Sequence, residues 1–202
     1  MKILLTGFDP FGGEALNPSW EAVRRAACSS AELIRAQIPT SYRRAPERLR
    51  ALCAEHRPDI VLCVGQAGGR SGPTPERRAV NRMGASIPDN DGVLLRDTPI
   101  LAEGESALYS TLPAERLAEA LRGRGLPASV SDSAGTFVCN RLMYEALLLG
   151  RTEYPGMRAG FVHLPFLPEQ TAGKRPEPPS MPLEKMVLSL NIILEVLEEQ
   201  ST

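Results

Sequence analysis

Short apolar runs that alternate with stretches of helical spacing set the strongest limit on what this chain can fold into. Lys2–Thr6, Leu33–Pro39, Asp59–Gly65, Ala128–Ser131 and Arg158–Leu164 have the length and β-branched content of buried strands. Between them lie segments whose apolar residues recur three and four apart. Pro18–Ala27 follows Asn17, a capping residue ahead of proline at the first helical position. Pro46–His56 stops before Arg57-Pro58, Pro113–Arg122 ends at Gly123, and Phe137–Leu149 ends at Gly150. Pro182–Leu197 carries Leu183, Met186, Val187, Leu190, Ile193, Leu194 and Leu197 along one stripe, which is either core or a partner surface. Strands that alternate with helices predict an α/β fold with a mostly parallel sheet covered on both faces.

The middle third breaks this rhythm. Residues 66–112 are rich in Gly, Pro, Asn and Asp, with short β-prone pieces at Arg78–Met83 and Val93–Leu95. A hairpin-like insertion with long loops is expected there, and long loops in a compact domain are often functional. Gln170–Ser180 reads as an exposed loop. Without an internal repeat or a composition break, residues 1–202 read as one domain.

Charge removes several function classes. Lys and Arg number 23 against 24 Asp and Glu, for a formal net charge of −1, so no field gathers nucleic acid or anionic lipid. No apolar run approaches the roughly 18–20 residues that span a bilayer, and Met1–Gly7 reads as a first strand rather than a signal peptide. A cytoplasmic setting is the default. The four cysteines, Cys28, Cys53, Cys63 and Cys139, form no C-x-x-C pair, and the chain has two histidines. Zinc or dithiol chemistry therefore has few ligands to draw on.

Context separates Cys139 from the other thiols. In Ser133-Ala134-Gly135-Thr136-Phe137-Val138-Cys139-Asn140 small residues turn and a helix begins. A thiol in the first turn of a helix meets unpaired N–H groups and the positive end of the dipole, which favour thiolate and can hold an oxyanion. A buried structural cysteine fits the same pattern. Cys63 lies inside the apolar run Ile60–Val64, and Cys28 and Cys53 fall on helices with no glycine turn beside them. His163 closes the strand Ala159–His163, at the sheet end where ligands of α/β proteins gather. An imidazole, whose unperturbed pKa is about 6.5, can take and return a proton near neutrality. The other histidine, His56, ends a helix, where a capping role suffices. Glu76 and Asp89 both lie in the loop-rich middle as possible partners for the imidazole, and the pattern does not choose between them.

Two loops complete the set. Gly65-Gln66-Ala67-Gly68-Gly69-Arg70 resembles a phosphate cradle but lacks the Lys-Ser/Thr of a P-loop. Thr6-Gly7-Phe8-Asp9-Pro10-Phe11-Gly12-Gly13 puts two aromatics beside Gly and Pro at a strand end, as walls of an apolar pocket or as an ordinary surface loop.

Together with Ile87-Pro88-Asp89-Asn90 and His163-Leu164-Pro165-Phe166-Leu167-Pro168-Glu169-Gln170, these motifs resemble, in order and nearly end to end, the pyroglutamyl peptidase I (pyrrolidone-carboxylate peptidase) family. The resemblance implies a three-layer α/β/α sandwich, a Cys-His-Glu triad at Cys139, His163 and Glu76, no metal or cofactor, and a homotetramer. It implies pyroglutamyl peptides as substrates, with a lactam pocket at Phe8, Phe11, Asn17, Gln66, Ile87, Phe137 and Val138. The chain departs from the family pattern in two places. Gly84-Ala85-Ser86 stands where the family commonly has Asp-Ala-Arg, leaving Arg82 or Arg70 to supply the missing positive charge, and Asp132 replaces a common Asn. Two rival readings differ in class: a phosphorolytic transferase using the Gly-rich loop, and a non-catalytic protein that keeps the pocket.

Overall fold

The computed structural model describes residues 1–199. In chain order the elements are β1 (Lys2–Phe8), α1 (Pro18–Val23), β2 (Glu32–Ile38), α2 (Arg44–His56), β3 (Ile60–Gln66), β4 (Thr74–Glu76), β5 (Arg78–Val80), β6 (Ala107–Tyr109), α3 (Ala114–Gly123), α4 (Val138–Thr152), β7 (Arg158–Leu164), α5 (Pro168–Thr171) and α6 (Leu183–Glu199). The main sheet runs β2-β1-β3-β7-β4. All its pairings are parallel except β4 against β7.

Because successive strand residues point to opposite faces, each buried strand feeds two cores. Leu4 and Phe8 of β1, Val61 and Cys63 of β3, and Ala159 and Phe161 of β7 join Leu49 and Leu52 of α2 and Leu142 and Leu147 of α4. Ile3 and Leu5, Ile60, Leu62 and Val64, and Val162 and Leu164 join Val23 of α1, Leu117 of α3 and the α6 stripe. This is the α/β/α sandwich, and the α6 stripe belongs to its core.

Two strand expectations need correction. Ala128–Ser131 forms no strand of its own: it lies along β4 and meets it in one parallel bridge, Glu76 to Ser131. Pro73 and Pro75 lack the N–H groups a longer ladder needs. The hairpin-like insertion is present, but the partner of β5 is β6 rather than Val93–Leu95. That segment is held instead by Asp89, whose Oδ1 accepts the Val93 N–H at 2.8 Å. Asn140 of α4 anchors the insertion: Oδ1 accepts the Val80 N–H at 2.8 Å, and Nδ2 donates to Val80 O at 2.8 Å and Arg82 O at 2.9 Å.

At the other end of the molecule Glu198 ties α6 to the turn before β2. Its carboxylate accepts the N–H groups of Ser30 and Ala31 at 2.7 and 2.6 Å and the hydroxyls of Ser29 and Ser30 at 2.8 and 2.9 Å. Burial alone would raise this carboxyl, but those donors outweigh it and hold the pKa at about 2. The folded-state value lies below the unfolded one. The contribution to stability is therefore present above pH ~4.3 and is lost as pH falls toward about 2. Glu198→Gln is expected to cost about 1 kcal/mol at neutral pH after solvent screening. Urea midpoints of the two proteins should converge as pH is lowered from about 4.3 toward 2; a pH-independent gap would contradict this assignment.

Candidate active site

The carboxyl ends of β3 and β7 open into a cavity of about 120 Å³, lined by Phe8, Phe11, Asn17, Thr40, Gln66, Ala134, Gly135, Thr136, Phe137, Cys139 and His163. The volume equals about four waters, room for one small ring.

Strand register assembles the polar members. His163 lies two residues beyond Phe161 on β7, on the face that α4 covers. On antiparallel β4, Thr74 pairs with His163 and Glu76 with Phe161, so Glu76 is the diagonal neighbour of the imidazole. Its Oε1 lies 2.7 Å from His163 Nδ1, and both side chains are buried. A carboxylate can only accept, so Nδ1 carries the proton in this pair and Nε2 is left for exchange. Between the two carboxylates that the sequence left open, geometry selects Glu76. Asp89 is occupied by the N–H groups of Tyr42, Asp91 and Val93.

Cys139 is the second residue of α4, whose N-terminus has no side-chain cap. No side chain therefore competes with an incoming oxygen for the first-turn N–H groups. Gly135 adopts φ +81° in the turn before it, a conformation that other residues rarely adopt. Gly65 makes room beside the sulfur: a Cβ there would lie 2.7 Å from Phe161 Cζ and 2.9 Å from Cys139 Sγ. The other thiols do not line the cavity. Cys53 and Cys63 are wholly buried in the core, and the Cys28 thiol donates to Ala31 O.

The expectation of a ready-made thiolate is not met. Burial pushes the Cys139 thiol up to about 12, and the negative charge of Glu76 adds to the effect; its own backbone N–H is the one influence that lowers it. Burial and the Glu76 charge together outweigh the backbone N–H at the helix start. The sign follows: a raised pKa keeps the sulfur protonated at neutrality. Inactivation of the free protein by iodoacetamide should accelerate from pH 7 through about pH 9 and beyond. A plateau already reached near pH 6 would show a preformed thiolate instead.

The expected pocket residues divide. Phe8, Phe11, Asn17, Gln66 and Phe137 line the cavity together with Cys139. Phe11 and Phe137 pack with their rings tilted at 41° and centroids 5.8 Å apart, with Tyr42 edge-on to Phe137 at 5.5 Å, whereas Phe8 is buried. Val138 and Ile87 are not among the lining residues: Val138 is buried in the core and Ile87 is 41% exposed on the insertion. A residue next to a nucleophile on a helix points elsewhere, which accounts for Val138. Thr40 and Thr136 were missed, since a lone threonine in a turn carries no distinguishing spacing. Thr40 holds the aromatic loop through its N–H to Asp9 Oδ1 at 2.6 Å, and Asn90 clamps the same loop by donating to Pro10 O at 2.8 Å.

The basic charge nearest the site's carboxylate is Arg70, with Nη2 3.4 Å from Glu76 Oε1 and 3.3 Å from Ser131 Oγ. Arg82 pairs with Asp97 on the exposed insertion at 2.8 Å. Asp132 accepts from Arg77 at 2.6 Å on the surface.

A thiol at an uncapped helix start, sharing one cavity with an imidazole backed by a buried carboxylate, is the constellation of cysteine-type hydrolases on a parallel α/β sheet. A family model described as pyroglutamyl peptidase matches residues 1–200. The chain is 48% identical over 201 residues to the pyrrolidone-carboxylate peptidase of Streptococcus suis, covering 98% of this chain and 93% of the relative. It superposes on the crystal structure of pyroglutamyl peptidase I from Bacillus amyloliquefaciens with a TM-score of 0.92 at 45% identity, over 96% of this chain and 94% of that one. For the pyrrolidone carboxyl peptidase of Fervidobacterium islandicum the TM-score is 0.94 at 39% identity, over 98% and 99%. This chain belongs to the pyroglutamyl peptidase family and is a cysteine-type hydrolase.

Proposed function

We propose that the chain, acting as one peptidase domain over residues 1–202, hydrolyses the amide bond after an N-terminal pyroglutamyl residue, with Cys139 as nucleophile, His163 as acid and base, and Glu76 orienting the imidazole. The observation that carries this reading is the 2.7 Å contact of Glu76 with His163 Nδ1, beside a cavity that His163 and Cys139 both line. The lactam ring packs in the cavity against the Phe11 and Phe137 side chains that line it, and its polar atoms meet amide groups of the pocket. Burying a polar ring atom without a partner costs about 1–3 kcal/mol, so a prolyl ring, lacking the carbonyl, is disfavoured.

In acylation, Sγ bonds to the pyroglutamyl carbonyl carbon while its proton passes to His163 Nε2. The raised thiol pKa makes this base necessary, because little thiolate exists beforehand. First-turn N–H groups of α4 receive the oxyanion. Collapse breaks the C–N bond, and His163 returns the proton to the leaving amine. Water then loses a proton to His163 and attacks the thioester, which releases pyroglutamate and regenerates the thiol.

The rival phosphorolytic reading loses support from the Gly-rich loop. A Cβ on Gly68 would fall on the Phe166 ring, and Arg70 is engaged with Glu76, so the loop is packed as part of the site rather than held open for phosphate. A homotetramer in the cytoplasm, free of nucleic acid and membrane, completes the proposal. The resemblance supports the tetramer, and the four free thiols suit a reducing compartment. No helix among the described residues is long and apolar enough to cross a membrane.

The test is hydrolysis of a chromogenic pyroglutamyl amide and its prolyl counterpart, with a chelator, with added phosphate, and without either. Turnover of the pyroglutamyl amide alone, indifferent to chelator and phosphate, is expected. Product binding by calorimetry without turnover would support the non-catalytic reading, and a phosphate requirement the transferase.

A further inference from the structure

The side-chain amides at the cavity have their orientation fixed from outside it. Gln170, nearly buried on α5, accepts the backbone N–H of Leu167 at Oε1, 2.9 Å away. A backbone N–H only donates, so this contact decides which end of the Gln170 amide is oxygen. Its Nε2 lies 3.0 Å from Gln66 Oε1, and Gln66 is thereby fixed in turn with its oxygen toward Gln170. Gln66 lines the cavity and Gln170 does not. The polar atom that Gln66 has left for a ligand is its NH2 group.

Asn17 is set by the same logic. The Phe8 N–H donates to Ser19 Oγ at 2.9 Å, so that hydroxyl donates onward to Asn17 Oδ1 at 2.8 Å, which also accepts the Ser19 N–H at 3.0 Å. Asn17 Nδ2 donates one hydrogen to Asp9 O at 3.0 Å and keeps the other.

We infer that Gln170 is a positioning residue that sets the polarity of the pocket: through Gln66 it makes the cavity present an amide donor rather than an acceptor, and so selects a ring bearing a carbonyl oxygen. This rests on the pyroglutamyl reading above. A Gln66 free to rotate would offer its oxygen as readily, and an oxygen there suits the ring ammonium of a prolyl substrate.

Gln170→Glu tests the inference. A carboxylate at 170 still accepts the Leu167 N–H, but it has no hydrogen for Gln66, whose NH2 then turns toward it and leaves Oε1 facing the cavity. KM for a pyroglutamyl amide should rise about tenfold with kcat within about threefold, and the preference over the prolyl amide should fall about tenfold. In a Gln66→Met background the same substitution should leave KM unchanged. If Gln170 only caps α5, Gln170→Glu keeps KM and selectivity, and that result overturns the inference. Should Gln170→Glu fail to fold, Gln170→Met and Gln66→Met replace it. KM raised no further in the double variant than in the larger single one supports the coupling, whereas full additivity overturns it. A parent protein that hydrolyses no pyroglutamyl amide would instead sink the underlying reading.

Discussion

Cys139→Ala is expected to lower kcat for a pyroglutamyl amide by at least about 10⁴-fold while leaving the thermal midpoint within a few degrees of the parent. The size follows from the interdependence of nucleophile and base: without the sulfur, His163 has nothing to deprotonate that can form an acyl-enzyme, and removing one member of such a unit costs nearly as much as removing all. The small change in stability follows from the side chain's position at the cavity, where truncation enlarges an existing space rather than opening a new one in packed core. Cys63→Ala should behave in the opposite way. It opens a void in the core beneath β3, lowers stability, and leaves kcat nearly unchanged. Full activity in Cys139→Ala would remove the assignment.

Glu76→Gln carries the second large effect and moves two observables in opposite directions. An amide can present either its oxygen or its NH2 to His163 Nδ1, so the imidazole is no longer held in the tautomer that leaves Nε2 as acceptor. The imidazolium formed during attack also loses its counter-charge. A loss of about 10⁴ in kcat is expected, the size seen when the carboxylate of a catalytic triad is neutralised. The same change removes the negative charge that, after burial, does most to raise the Cys139 thiol. Alkylation of Cys139 by iodoacetamide at pH 8 should therefore become faster in Glu76→Gln even as turnover collapses. A purely structural role for Glu76 would slow both or neither.

Much of the architecture is legible in the residues because burial on two faces leaves a simple trace. Continuous apolar runs such as Ile60–Val64 can lie only between two helical layers, and the 3.6-residue stripe of α6 marks the helix that covers one of them. β4 and β6 left no such trace. Each is three residues long, β4 contains a proline, and both are defined by partners that lie far away along the chain. Register is the other limit. That Glu76 rather than Asp89 reaches the imidazole depends on Thr74 pairing with His163 across an antiparallel edge, a relation between segments some ninety residues apart that local spacing does not encode. The electrostatics of Cys139 escaped for a related reason: its place at a helix start is local and readable, while the burial that raises its pKa and the Glu76 charge that adds to it depend on packing against other elements.

The most direct measurement maps the sulfur that catalysis depends on. The free protein would be treated with substoichiometric iodoacetamide at pH 9, its residual activity on a pyroglutamyl amide recorded, and the label located by peptide mass spectrometry, with and without excess pyroglutamate. Lost activity should match carboxamidomethyl label on Cys139 one for one, and pyroglutamate should slow both. Activity that does not fall as label accumulates on Cys139, or that falls with the label on Cys28, Cys53 or Cys63 alone, would contradict the account.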